Sequence, residues 1–236
     1  MYRRAIAPPI EQSAENSNFR NLIGDIAWYG LAFAATSRFM AVYAIRPDAT
    51  PLQLGLLTGL PALIWLGSSM LSSWWARRYP NMVQALRWPT LGMRMVFILP
   101  LFAPLLPPQL QVLWLIVATT LTAIPQGISN VLFMDVLRKA MPNEDRLTVL
   151  LARRQLYFNI VLAISVLSFG LWLEAGPFPF NHMLMFAIAF AAALMSYRAC
   201  MRIRVPDEPP AVPSAPRARP WANPEFRQML GTVYIA

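Results

Sequence analysis

One cysteine and one histidine occur in 236 residues. With Cys200 alone there is no internal disulfide and no metal site built on cysteines. With His182 alone there is no metal-spaced His/Cys cluster, and this histidine reads as an interfacial polar residue at the end of an apolar run. No glycine-rich phosphate loop with a lysine is present, so nothing points to an ATP-driven motor. There is no nucleophile elbow and no paired acidic motif of a metal-dependent membrane transferase. The sequence gives no support to an enzyme, and it implies no cofactor and no metal. The first 21 residues are polar and lack the apolar core of a signal peptide.

Charge is also scarce. Only 13% of residues are charged against 57% hydrophobic, and the charges cluster between long apolar runs. A bilayer-spanning helix needs roughly 20 predominantly apolar residues. Six runs meet that length, at about 22–45, 51–74, 85–106, 110–136, 149–173 and 179–200. Soluble helices seldom run this long without a polar face. The expected fold is therefore all-α, a polytopic membrane protein with a bundle of six transmembrane helices.

The net charge of +9 would suggest nucleic acid for a soluble chain. Here its placement explains it. Arg3, Arg4 and Arg20 precede the first run, Arg77, Arg78 and Arg87 follow the second, and Arg138, Lys139 and Arg146 follow the fourth. Arg198, Arg202 and Arg204 end the sixth. The alternate connections hold only Arg46 and Asp48, then an uncharged stretch at 103–111, then Glu174. The positive-inside rule puts both ends in the cytoplasm. The partner implied is a lipid bilayer and not a nucleic acid.

This divides the chain into a polar cytoplasmic tail at 1–18, a six-helix bundle at 19–204, a linker at 205–222 and a restart at 223–236. The linker carries Pro206, Pro209, Pro210, Pro213, Pro216 and Pro220, which favour extended chain. Thr50-Pro51 reads as a helix cap followed by a first-turn proline. Pro61, Pro100 and Pro125 fall inside apolar runs and predict kinks. Gly55, Gly59 and Gly67 stripe the second run at a spacing that permits close helix contact.

Polar groups inside a membrane are costly, so each is a candidate for function. Arg38, beside Thr36 and Ser37, either contacts an anionic substrate or snorkels to the outer surface. Asp25 is either a protonatable coupling carboxylate or a partner of Arg20 or a neighbouring helix end. Arg94 and Asp135 either meet in a conformational ion pair or pair separately with loop charges. The fourth run is the most polar, with Thr119, Thr120, Thr122, Gln126, Ser129 and Asn130 around Pro125. These side chains either line a water-filled path or make interhelical hydrogen bonds. Arg154, Gln155, Tyr157 and Asn159 raise the same question in the fifth run.

Two distant stretches resemble each other. Asn16-Ser17-Asn18-Phe19-Arg20-Asn21-Leu22-Ile23-Gly24 matches Asn223-Pro224-Glu225-Phe226-Arg227-Gln228-Met229-Leu230-Gly231 at Asn, Phe, Arg and Gly. Six helices, a basic linker and a restart resemble the amino-terminal half of a major facilitator superfamily transporter, apparently truncated in its seventh helix. The phrase from Asp48 to Leu57 is similar to the start of the second helix in divergent bacterial members. Arg78 matches an arginine of the family's loop motif, whereas Arg77 and Pro80 stand where Asp and Gly are usual. Gln126-Gly127 matches a pair in the fourth helix of proton-coupled members, with Ala123 in place of their arginine.

The resemblance implies secondary active transport of a small solute by alternating access, in a bacterial plasma membrane with a cytoplasmic amino terminus. It implies that Arg38, Gln126 and Asn130 face a substrate cavity, and it matches Arg78 to a motif arginine; Asn159 as a cavity candidate and Asp25, Arg94 and Asp135 as conformational ion-pair candidates rest on their polarity within apolar runs. The partner would be the missing second half or a second copy. The alternative is a transport-inactive scaffold or assembly subunit of a larger membrane complex.

Overall fold

The computed structural model describes residues 12–205, which are helical with no strand among them. The elements are α1 (Gln12–Ile45), α2 (Pro51–Ser69), a short α3 (Ser72–Ala76), α4 (Met82–Arg94), α5 (Pro108–Ala140), α6 (Glu144–Ala175) and α7 (Phe180–Met201). After Arg94 the chain tightens into two 3₁₀ stretches, Met95–Phe97 and Leu99–Leu105. Pro100 and Pro104 lie in the second, where their missing N–H groups disfavour an α-helical ladder. The linker and restart at 205–222 and 223–236 fall almost wholly outside the described residues.

Local chemistry sets the boundaries. Thr50 and Gln53 form a reciprocal capping box at the start of α2, with Gln53 Oε1 accepting from Thr50 N at 2.8 Å. Asn81 Oδ1 caps α4 by accepting from Val83 N at 2.8 Å. Asn143 Oδ1 caps α6 by accepting from Arg146 N at 3.1 Å. Glu144 and Asp145 in its first turn suit the positive end of the helix dipole. Pro125 leaves α5 uninterrupted.

Among the described residues, five stretches are long and apolar enough to cross a membrane: Pro51–Ser69, Met82–Leu105, Pro108–Ala140, Glu144–Ala175 and Phe180–Met201. They are compatible with a multi-pass membrane protein. α1 has the length, at 34 residues, but its polar and charged residues keep it out of this set. Within the expected tail at 1–18, the described residues from Gln12 onward are helical and Asn18 is fully buried.

Counting α4 with its 3₁₀ extension, the described residues make six long rods. α1 packs on α6 and α7, whereas α5 packs on α2 and α4. Exchanging the first three rods for the last three leaves this pattern unchanged. α1 takes the place of α5, α2 that of α6, and α4 that of α7. The two central rods are thus α1 and α5. Flanking α2 and α6 have only 11% of their apolar windows buried, against 50% for α5.

The interior is split in two. One apolar cluster holds Ala32, Ala34, Ala35, Met40, Tyr43 and Ala44 of α1 with Phe97, Leu115 and Phe186. The other holds Leu22 with Leu86, Leu132, Leu150 and Cys200. Asp25, Arg94 and Ser196 fall between the two clusters in sequence along their helices.

Close approach is made by Gly127 of α5, and not by the stripe on α2. A methyl on Gly127 would lie 2.5 Å from Trp65 O and 2.9 Å from Ser69 N, whereas Gly55, Gly59 and Gly67 have open space beside them. Beside Gly127, Ser68 Oγ donates to Ala123 O at 3.3 Å. His182 is also placed differently from expectation. It is 1% exposed, with its ring stacked on Tyr43 at 4.9 Å.

Candidate functional site

Asp25 is the centre of a buried polar layer. One oxygen, Oδ1, accepts from Ser196 Oγ at 2.7 Å and from Arg94 Nη2 at 3.4 Å. The other, Oδ2, accepts from Arg154 Nη1 and Nη2, each at 3.3 Å. α1, α4, α6 and α7 thus meet at one carboxylate. Asp25, Arg94 and Arg154 are 5%, 3% and 9% exposed, so their attraction is weakly screened.

The guanidiniums are anchored by carbonyls as well. Arg94 donates through Nε to Ala193 O and through Nη1 to Thr90 O, both at 2.9 Å. Its Nη2 also donates to Ser196 Oγ at 2.7 Å. Arg154 Nη1 donates to Leu22 O at 2.6 Å, and its guanidinium lies 5.0 Å from the Phe133 ring. Ser196 is the small residue that makes the layer possible. It fits between α1 and α4 and bonds to Asp25 and Arg94. Thr90 and Ser129 hydroxyls join α4 to α5 at 2.8 Å.

Beside this layer is a cavity of about 200 Å³, lined by Asp25, Thr90, Arg94, Gln126, Ser129, Asn130 and Arg154 among others. A second cavity, about 360 Å³, is lined by Phe33, Thr36, Ser37, Leu57, Pro61, Phe97 and Thr119 among others. Tyr29, Met93 and Gln126 line both. From Asp25 to Thr36 is eleven residues along α1, or about 16 Å of rise. The paired cavities therefore follow α1, α4 and α5 for about half the thickness of a hydrocarbon core.

The residues singled out in the sequence divide sharply. Gln126 and Asn130 line the cavity beside the charged layer. Arg38 is exposed and lines neither cavity, although its neighbours Thr36 and Ser37 do. Asn159 is exposed on α6 and accepts from Gln155 Nε2 at 3.3 Å. Arg78 is exposed, with its guanidinium 3.5 Å from the centre of the Trp74 ring.

The expected meeting of Arg94 with Asp135 does not occur. Arg94 pairs with Asp25, and Asp135 makes no ion pair among the described residues. Asp25 likewise pairs with Arg94 and Arg154, not with Arg20. Ser196 and Thr90 carried no signal as single residues. The alanines Ala189, Ala192 and Ala193 before Ser196 gave the only hint that something packs closely there.

A second network ties the chain ends of the bundle together. Asn18 Nδ2 donates to Ala140 O at 3.2 Å and to Arg204 O at 2.8 Å, and its Oδ1 accepts from Arg204 N at 2.9 Å. Arg146 donates to Glu15 Oε2 at 2.8 Å and to Asn16 Oδ1 at 2.5 Å. The opening motif thus supplies the clasp between α1, α5, α6 and the end of α7. No known family model, curated protein or solved structure matches this chain.

Proposed function

We propose that the chain is one bundle of a secondary transporter that moves a small solute by alternating access. The observation that carries this reading is the pair of adjoining cavities along the two central helices, one of them beside the charged layer. A structural ion network has no need of such space beside it. In this reading α1 is the sixth membrane crossing, and its Asp25 is tolerated because it faces the bundle interior and two arginines.

The exchange pattern of the six rods supports the same reading. Three crossings followed by three more put equivalent rods in opposite directions. Nested inverted triplets of this kind occur within each half of major facilitator transporters. The weakly buried α2 and α6 then offer apolar faces to a second bundle, either another half or a second copy. The loop charges favour a cytoplasmic amino terminus in a bacterial plasma membrane.

Solute counterflow tests the reading. Proteoliposomes containing the chain are preloaded in turn with small carboxylates, amino acids, sugars and amines, and uptake of the labelled solute is followed. With a second copy supplying the other bundle, exchange of one class above protein-free vesicles is expected. A scaffold would instead show no exchange for any class and would co-purify with one membrane partner at fixed stoichiometry.

A further inference from the structure

The polar layer is not electrically balanced. The cavity beside it is lined by one carboxylate, Asp25, and two guanidiniums, Arg94 and Arg154. Arginine stays charged in proteins, so the lining holds one positive charge in excess. The carbonyls of Leu22, Thr90 and Ala193 satisfy N–H donors but bring no net charge. A charge held out of water carries a penalty of several kcal/mol unless an opposite charge meets it.

Donors are also in surplus. Arg154 Nε takes part in none of the bonds to Asp25 or Leu22. The amides of Gln126 and Asn130 line the same space. Water occupies about 30 Å³ per molecule in the liquid. The cavity of about 200 Å³ therefore has room for a carboxylate with its remaining hydration. The adjoining space has no charged residue in its lining, and Phe33, Met40, Leu57, Pro61 and Phe97 share its walls with small hydroxyl side chains such as Thr36 and Thr119.

We infer that these adjoining cavities bind an organic monocarboxylate, its carboxylate beside Arg154 and its apolar body between Phe33, Leu57 and Phe97. One negative charge balances the layer, and a second would leave it unbalanced the other way. Arg154 is the specificity residue, since Arg94 is committed to four acceptors. The inference deepens the transport reading and rests on it for movement of the ligand. Occupancy of the cavity is measured separately.

The test is thermal melting of the detergent-solubilised chain with benzoate, acetate or benzamide. Ionic strength is held constant with a bulky morpholinosulfonate. Benzoate should give a saturable upward shift, with acetate at least about tenfold weaker because it lacks an apolar body. Benzamide, of the same shape without the charge, should give none. Arg154→Gln leaves the neutral Asp25–Arg94 pair and should lose the benzoate response. Arg154→Lys should retain part of it, and the exposed Arg38→Gln all of it. Should Arg154→Gln fail to fold, the ligand series on the unmodified chain and the Arg154→Lys and Arg38→Gln variants still decides. A cooperative melt that benzoate does not move, or one that benzamide moves equally, would overturn the inference, as would a full response in Arg154→Gln. Loss of benzoate binding with counterflow of another class intact refutes the ligand and spares transport. Binding without any counterflow does the reverse.

Discussion

Asp25→Asn removes the only carboxylate in a layer that holds two arginines. The side chain keeps its shape, but Arg94 and Arg154 are left buried with no counter-charge. Breaking a buried pair from one side typically destabilises by about 3–5 kcal/mol. Arg154→Gln gives the contrasting case. It leaves Asp25 and Arg94 as a neutral pair and removes the bond to Leu22 O at 2.6 Å together with two longer contacts to Asp25. No buried charge is left uncompensated after this change, so this variant should suffer less. For a domain of this size each kcal/mol moves the melting temperature by roughly 2–4 °C. Asp25→Asn should therefore melt roughly 6–20 °C lower, and Arg154→Gln by less. The eight tryptophans provide the signal in a fluorescence melt in mild detergent without added carboxylate. If Arg154→Gln were the more damaged of the two, charge balance would not be what holds the layer.

Other substitutions probe the packing and the clasp. Gly127→Val should separate α2 from α5, because the new side chain meets backbone at Trp65 and Ser69; a loss of about 3 kcal/mol or more is expected in the same melt. Gly59→Ala, with open space beside it, should leave the melt near that of the unmodified chain. Asn18→Ala removes three hydrogen bonds at a fully buried site and should cost about 1–3 kcal/mol, with faster proteolysis near Arg204. Glu15→Gln weakens a pair whose arginine side chain is 37% exposed, so a change of at most about 1 kcal/mol is expected, smaller at high salt.

Much of the helix plan was legible because it depends on local chemistry. Apolar runs, the Thr50 cap and the prolines near Leu99–Leu105 each act within a few residues. The exact partners were not legible, because they depend on which helices become neighbours. Arg94 and Asp135 look like natural partners when loop charges are counted. Yet Arg94 sits where α4 tightens into 3₁₀ turns, and Asp25 on α1 and Ser196 on α7 meet it there. The glycines illustrate the same limit. Spacing on α2 suggested a contact face, but the contact depends on the partner helix, and a single Gly127 on α5 serves it. Arg38 and Asn159 are polar, but both are exposed and neither lines a cavity. Gln126 and Asn130 lie four residues apart on α5 and so share one face.

The central claim is that the adjoining cavities form a path opened in turn to either side of a membrane. Thr36→Cys and Asn130→Cys, each in a Cys200→Ala background, place a thiol on the wall of one cavity and the other. Labelling with a membrane-impermeant thiol reagent in right-side-out and inverted vesicles reads the path directly. The account predicts that both positions are labelled from both sides, with benzoate slowing the reaction at Asn130→Cys. Labelling of each position from one fixed side only, unchanged by benzoate, would contradict it.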